Sequence, residues 1–400
     1  MVNSILIQDL VPRREVAVWR GVANVAKTMG RTVGGPLGGW LSDVVGWRWG
    51  FVGQGPVMGL AFVLVAWRLR VPSDEVVGLE DPDLAKKKKG ENEVRGKLRR
   101  VDFGGAGLIT GAIVLVILAM DLPNQGFPWS SPVVLSCVTA SLLLIASFLL
   151  FEAQCTAEPI YPPRLLKKRS VWTSYIGLSC ILACQLSMMF TVPLYFQITT
   201  NASAGEVGTR LVPSSIAATF GSLFAGWYIK HTGRYKRLTI VAALLAASAP
   251  TLMMLTWKGQ PQLSWWKGLA IVPGGLGAGI ALGTTFIIAT SELDPKDYAV
   301  GAGGLYLMNN IGCVLGTGLV SSIQTAALRS FLAHALPGDE GRSVIEGVMK
   351  DIHFLNSLSE GLKRVVIEAY VKSLDRAHLF SLAGGLMCFV VSFFIPEERL

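Results

Sequence analysis

The sequence is poor in charge. Only 16% of its 400 residues are Asp, Glu, Lys or Arg, whereas 51% are hydrophobic. A soluble protein of this length would need more charge on its surface, so the composition is typical of an integral membrane protein. The net charge of +9 comes from Lys and Arg residues in short clusters between apolar segments. Such clusters are typical of cytoplasmic loops, and they argue against nucleic-acid binding.

The sequence also lacks the motifs of enzymes and of ATP-driven proteins. The GAGG segment at 301–304 is not followed by the Lys-Ser or Lys-Thr pair that completes a phosphate-binding loop. The four histidines are scattered, and the six cysteines lie mostly within apolar segments without the spacing of metal ligands. We therefore predict that the protein is not an enzyme and that it holds no cofactor and no metal ion.

About ten apolar segments are long enough to cross a bilayer, which takes roughly 20 helical residues. They predict an all-α membrane protein with about ten transmembrane helices. The segments are 18–40, 51–69, 104–120, 132–151, 172–197, 206–229, 238–257, 268–290, 300–325 and 377–395.

Basic residues are concentrated in alternate connections between these segments, which predicts the orientation. The connections at 70–100, 164–169 and 230–237 are basic, so we expect them in the cytoplasm. Those at 121–131 and 198–205 are nearly free of Lys and Arg and should lie on the opposite face. The sequon at Asn201 is then a glycosylation candidate on the external or luminal side.

A run of glycines with one proline occupies the first apolar segment. Gly30, Gly34 and Gly38 recur every four residues, so they share a helix face that allows a neighbouring helix to approach closely. Pro36 removes one intrahelical hydrogen bond, which predicts a bend. The residues of this motif are Gly30, Gly34, Gly35, Pro36, Gly38 and Gly39.

This run and its continuation, GWRWGFVGQGP at 46–56, resemble the antiporter signature of the major facilitator superfamily. The likeness is to its fungal fourteen-span drug:proton antiporters and vacuolar basic amino acid permeases. Gly35 is a departure, because many relatives carry the proline there. The segments EPIYPPRLLKKRSV at 158–171 and GRYKRL at 233–238 extend the resemblance over nearly the whole chain.

The resemblance implies a domain organisation. Residues 1–70 would be the remainder of an N-terminal six-helix bundle, 71–101 a cytoplasmic linker and 102–155 an inserted transmembrane helix pair. Residues 156–400 would form a C-terminal six-helix bundle with a long luminal loop at 326–376. The first three helices of the family pattern, which carry its proton-coupling residues, have no counterpart in the 400 residues, so the bundle is expected to be N-terminally truncated.

The resemblance further implies secondary active transport of a small organic solute, of the drug or basic amino acid type, by proton-coupled antiport. The expected partners are the solute, protons and the lipid bilayer of a plasma or vacuolar membrane, and the expected state is a monomer. A non-transporting or degenerate paralogue of a transporter is the alternative.

Polar residues inside the apolar segments are candidates for contact with a solute. Arg31 lies within about 40° of Arg20 and Lys27 around one helix, at 100° per residue. These three residues could face a cavity and bind an anion. Alternatively, Lys27 and Arg31 could be charges acquired by mutation at positions that are apolar in the family. The other candidates are Gln54, Gln185, Tyr195, Gln197, Asn309, Asn310 and Gln324, for which hydrogen bonding between helices is the alternative.

Overall fold

A computed structural model describes residue 11 and residues 13–68, 102–154, 163–258, 265–294 and 297–397. The predicted linker at 71–101, with its four lysines at 86–89, lies outside the described residues. Within the described part, the chain is helical and contains no strand.

The described residues form eleven helices of at least twelve residues. They are α1 (Arg13–Val44), α2 (Trp47–Arg68), α3 (Phe103–Asp121), α4 (Pro132–Gln154), α5 (Arg169–Thr200), α6 (Ala204–Thr232), α7 (Lys236–Thr256), α8 (Val272–Ser291), α9 (Tyr298–Ala335), α10 (Asp339–Lys350) and α11 (Glu360–Phe393).

All of these helices except α10 correspond one to one with the ten predicted segments. Eight segments in the described part are long and apolar enough to cross a membrane. The helices α1 and α6 are not among the eight, because they are rich in glycine, hydroxyl and charged residues. The protein is a multi-pass, all-α membrane protein, as the sequence predicted.

The segment 326–376, predicted as a long luminal loop, is largely helical in the described structure, and its luminal position stays a prediction. Helix α9 continues to Ala335, α10 follows, and α11 already begins at Glu360. The apolar segments of the sequence do not include these parts, because helices that project beyond the membrane are no longer uniformly apolar. Buried Leu328, Leu332 and Val366 join them in one hydrophobic cluster.

Helix α8 packs tightly between α6 and α7. A Cβ atom built on Gly279 would lie 2.0 Å from the carbonyl oxygen of Ala218 in α6. A Cβ built on Gly277 would lie 2.5 Å from the carbonyl oxygen of Ala242 in α7. Only glycine permits such backbone contact, which is typical of membrane helix packing.

The predicted inserted pair, α3 and α4, is a helical hairpin that packs against α9. At one end of α3, Ser322 Oγ donates to the carbonyl oxygen of Met120 (2.6 Å), and Asn124 Nδ2 donates to Ser321 Oγ (3.4 Å). At the other end, Phe148 of α4 shares a buried cluster with Leu165. The hairpin is therefore attached to the C-terminal part of the chain at both of its ends.

The first two helices form a second hairpin. Gly46 turns the chain between them with φ +95°, a conformation that favours glycine. Helix α2 packs mainly against α1, and the apolar window of its predicted span has no buried residue in the described structure.

Candidate functional site

The two parts of the chain meet where α1 crosses α6. A Cβ atom built on Gly208 would lie 2.9 Å from the carbonyl carbon of Gly35 and from the nitrogen of Pro36. Towards the other end of α1, a Cβ on Gly21 would lie 3.8 Å from the carbonyl oxygen of Ser222. Because Gly21 pairs with Ser222 and Gly35 with Gly208, the two helices run antiparallel in close contact.

A carboxylate completes this crossing at the start of α6. Asp43 Oδ2 accepts a hydrogen bond from the backbone nitrogen of Gly205 (3.3 Å). The start of α6 is also capped by Ser203 and Glu206, which bond to each other's backbone nitrogens. A negative charge is favourable at a helix N-terminus, so Asp43 stabilises the contact between the end of α1 and the start of α6.

Of the glycines and the proline predicted to form a close contact between bundles, Gly35 and Pro36 lie against Gly208 in the described part, and Gly34 and Gly38 do not. Among the described residues, none from another part of the chain has an atom within 4 Å of a Cβ built on Gly30, Gly34 or Gly38. The physical reason is rotational: positions 34 and 38 point about 100° and 60° away from position 35 around the helix. Gly39 is half-buried.

The predicted polar candidates are not gathered at one place. Gln54 is exposed on α2, whereas Gln185 and Gln197 are half-buried on α5. On α9, Asn309 is half-buried, and Asn310 is exposed with its Nδ2 bonded to the carbonyl oxygen of Tyr306 (2.9 Å). Their contact with a solute stays a prediction.

Tyr195 lies in a packed aromatic cluster. It is only 2% exposed, and its ring centroid is 4.8 Å from that of Trp257 and 5.5 Å from that of Phe196. The guanidinium of Arg210 in α6 lies over the Phe196 ring at 5.0 Å. The surroundings of Tyr195 therefore give it a packing role beside its predicted contact with a solute.

The charged candidates of α1 can be placed only in part. The side chains of Arg20 and Arg31 lie outside the described residues, and Lys27 is exposed. Asn201 is exposed at the end of α5 and has φ 51°. Its glycosylation stays a prediction.

A buried polar seam lies between α5, α9 and α11, and of its residues only Gln324 was among the predicted candidates. Gln324 Nε2 donates to Ser373 Oγ (3.2 Å), and the hydroxyls of Ser187 and Ser381 bond to each other. His378 is 3% exposed in the same helix as Ser373 and Ser381. Serines also occur in other apolar segments of the sequence. Only the packing of the helices shows which serines form hydrogen bonds between helices.

A second polar network ties the start of α5 to the end of α8. Glu292 Oε2 accepts hydrogen bonds from the backbone nitrogen and the hydroxyl of Ser170 (3.1 and 2.8 Å). Lys168 Nζ donates to the carbonyl oxygen of Glu292 (2.5 Å), and Arg164 pairs with Asp297 (2.8 Å). The network lies at the end of the bundle that the basic connections predict to be cytoplasmic.

We expect the substitution Glu292→Ala to destabilise the protein by about 1–3 kcal/mol, because it leaves the buried donors of Ser170 without their acceptor. The measurement is the midpoint of thermal unfolding in detergent. Asp294→Ala is the matched control, since Asp294 is exposed nearby. Equal midpoints for both variants would contradict the assigned role of Glu292.

The sequence model of the Major Facilitator Superfamily matches residues 1–317. The match includes the α1–α6 crossing, the inserted hairpin and most of α9.

Several fungal proteins are similar to the chain. The vacuolar membrane amino acid uptake transporter fnx2 of Schizosaccharomyces pombe is 31% identical over 398 residues, 99% of this chain and 66% of fnx2. The multidrug resistance protein fnx1 of the same yeast is 29% identical over 370 residues, 92% of this chain and 67% of fnx1. The vacuolar basic amino acid transporter 2 of Saccharomyces cerevisiae is 26% identical over 387 residues, 95% of this chain and 79% of that protein. The chain spans about two thirds of the length of fnx2 and fnx1.

Proposed function

Because the chain belongs to the major facilitator superfamily, we propose that it carries amino acids across a membrane by secondary active transport, in exchange for protons. The proposal of amino acids as the substrate class rests on the similarity to fnx2, which extends over 99% of the chain. The vacuolar basic amino acid transporter 2 supports the same class. A vacuolar membrane is the proposed location.

The α1–α6 crossing supports the transport mechanism. Alternating access requires two helical bundles to rock against each other around a central site. Gly35 and Gly208 bring the N-terminal and C-terminal parts of the chain into backbone contact, without side chains that would hold them apart. At this crossing the two parts can therefore move against each other in close contact without clashes between side chains.

Drug efflux is the second candidate, because fnx1 is a multidrug resistance protein and is similar over 92% of the chain. The two candidates differ in the chemistry of the solute. An amino acid presents a carboxylate and an ammonium group, whereas the usual fluorescent drug probes are large and apolar. A panel of solutes therefore separates the candidates.

We expect vesicles from cells that express the protein from its complete gene to take up radiolabelled lysine when the lumen is acidic. A proton ionophore should abolish the uptake, because the gradient supplies the energy. Removal of ATP under an imposed gradient should leave it unchanged. Preferential movement of a fluorescent drug would favour efflux, and movement of neither would favour a non-transporting paralogue.

A further inference from the structure

We propose that a basic cavity between α9 and α10 binds the phosphate headgroup of an anionic lipid. The cavity has a volume of about 490 Å³ and is lined by Arg329, Arg342, Ile345, Glu346, Met349 and Lys350. A volume of this size holds a small organic ligand. Nothing in the proposed transport mechanism uses these residues.

The lining favours an anion with an apolar part. Three cationic side chains face one carboxylate, that of Glu346, so the lining carries a net positive charge. The guanidinium group of Arg329 can bind phosphate oxygens through two parallel N–H donors, and Arg342 and Lys350 add positive charge to the lining. Ile345 and Met349 supply an apolar floor for the glycerol or acyl part of a lipid.

The position of Arg329 places the cavity at the membrane surface. Its Nη1 and Nη2 atoms lie 3.6 and 3.7 Å from the position of a Cβ atom on Gly126, in the turn between α3 and α4. That turn also carries exposed Phe127 and Trp129. Aromatic residues are enriched at the level of the lipid headgroups, so Arg329 lies at this level too.

The lengths of α3 and α9 agree with a position of Arg329 at the level of the lipid headgroups. Helix α3 has 19 residues, about 28 Å at 1.5 Å per residue, which matches a hydrocarbon core of about 30 Å. Helix α9 has 38 residues, about 57 Å. It therefore extends beyond the core on the side of Gly126, where α10 packs against it and supplies most of the lining of the cavity.

A lipid explains the site better than a soluble anion does. Arg329, which lines the cavity, lies beside the turn of the α3–α4 hairpin, and the large apolar side chains Phe127 and Trp129 are exposed on that turn. A lipid bound there would contact α9, α10 and the hairpin together, and it would fasten the hairpin to the C-terminal bundle.

The test is native mass spectrometry of the purified protein from its complete gene, after incubation with phosphatidylserine or phosphatidylcholine. We expect the wild type to retain phosphatidylserine in preference to phosphatidylcholine. The double substitution Arg329→Gln with Arg342→Gln should weaken retention by about tenfold or more. The pair Lys258→Gln with Lys267→Gln removes the same charge outside the cavity and should retain the lipid as the wild type does.

A further variant and a competition experiment complete the test. Glu346→Gln raises the positive charge without shortening a side chain, so it should strengthen retention even if the double variant folds poorly. Glycerophosphoserine, a soluble headgroup, should compete only weakly. Equal retention of phosphatidylserine by the wild type and the double variant would overturn the proposal. Full competition by glycerophosphoserine or by inorganic phosphate would overturn the assignment to a lipid.

Discussion

The substitution Gly208→Val is expected to abolish solute uptake while the protein remains folded in the membrane. The added side chain would begin 2.9 Å from the backbone of Gly35 and Pro36 and 3.0 Å from the Gly35 carbonyl oxygen. Overpacking of this kind costs about 1–3 kcal/mol, and about 1.4 kcal/mol changes an equilibrium tenfold. The cost is greatest in the conformation in which α1 and α6 lie closest. The substitution therefore lowers the population of that conformation, which the transport cycle must pass through.

Radiolabelled lysine uptake into vesicles measures this effect, and quantitative blotting of the membrane fraction confirms that the variant is present. Gly34→Val is the matched control, because in the described part no neighbouring atom lies within 4 Å of its Cβ position. We expect the control to retain most of the uptake. If Gly34→Val abolishes uptake and Gly208→Val does not, the assigned crossing is wrong.

The substitution Gly279→Val is expected to prevent folding altogether. Its Cβ atom would lie 2.0 Å from the carbonyl oxygen of Ala218, a distance that no side-chain movement can relieve. The cost exceeds the roughly 1–3 kcal/mol of ordinary overpacking and becomes comparable with the whole stability of a domain, about 5–15 kcal/mol. We therefore expect little monodisperse protein on size-exclusion chromatography in detergent.

Gly107→Val is the control for this experiment. Gly107 lies in a membrane helix, α3, and has no neighbouring atom within 4 Å of its Cβ position in the described structure. The control should give a wild-type elution profile. Normal folding of Gly279→Val would show that α6 and α8 do not pack as closely as the structure indicates.

The number and order of the long helices could be predicted from the sequence because each span must be apolar over a fixed length. The same rule misplaced the helix ends beyond the membrane. Helix α10 and the first part of α11 bury one face against α9 and leave the other in water, so they contain no long apolar run. Their helical structure depends on that packing.

The glycine run indicated close helix packing but not which face would form it. Gly30, Gly34 and Gly38 share one face, while Gly21 and Gly35, fourteen residues apart, lie within about 40° of each other on another. The spacing of four is easier to recognise in a sequence. The choice between the faces depends on Gly208, which is distant in sequence and contacts Gly35 only in the folded protein.

The hydrogen-bond partners of Glu292 and Gln324 could not be predicted for a similar reason. Acidic residues near helix ends are common at membrane surfaces, and the sequence contains several of them. Only the folded structure brings Ser170 to Glu292 and Gln324 to Ser373. Contacts across 122 and 49 residues of sequence leave no local pattern.

The most direct test of the proposed function is lysine accumulation by the purified protein, expressed from its complete gene and reconstituted into liposomes. The proposal predicts that an acidic lumen drives accumulation of radiolabelled lysine above its external concentration, and that dissipating the pH gradient releases it. The Gly208→Val protein should accumulate none. Failure of the wild type to accumulate lysine under an imposed gradient would contradict the proposed function.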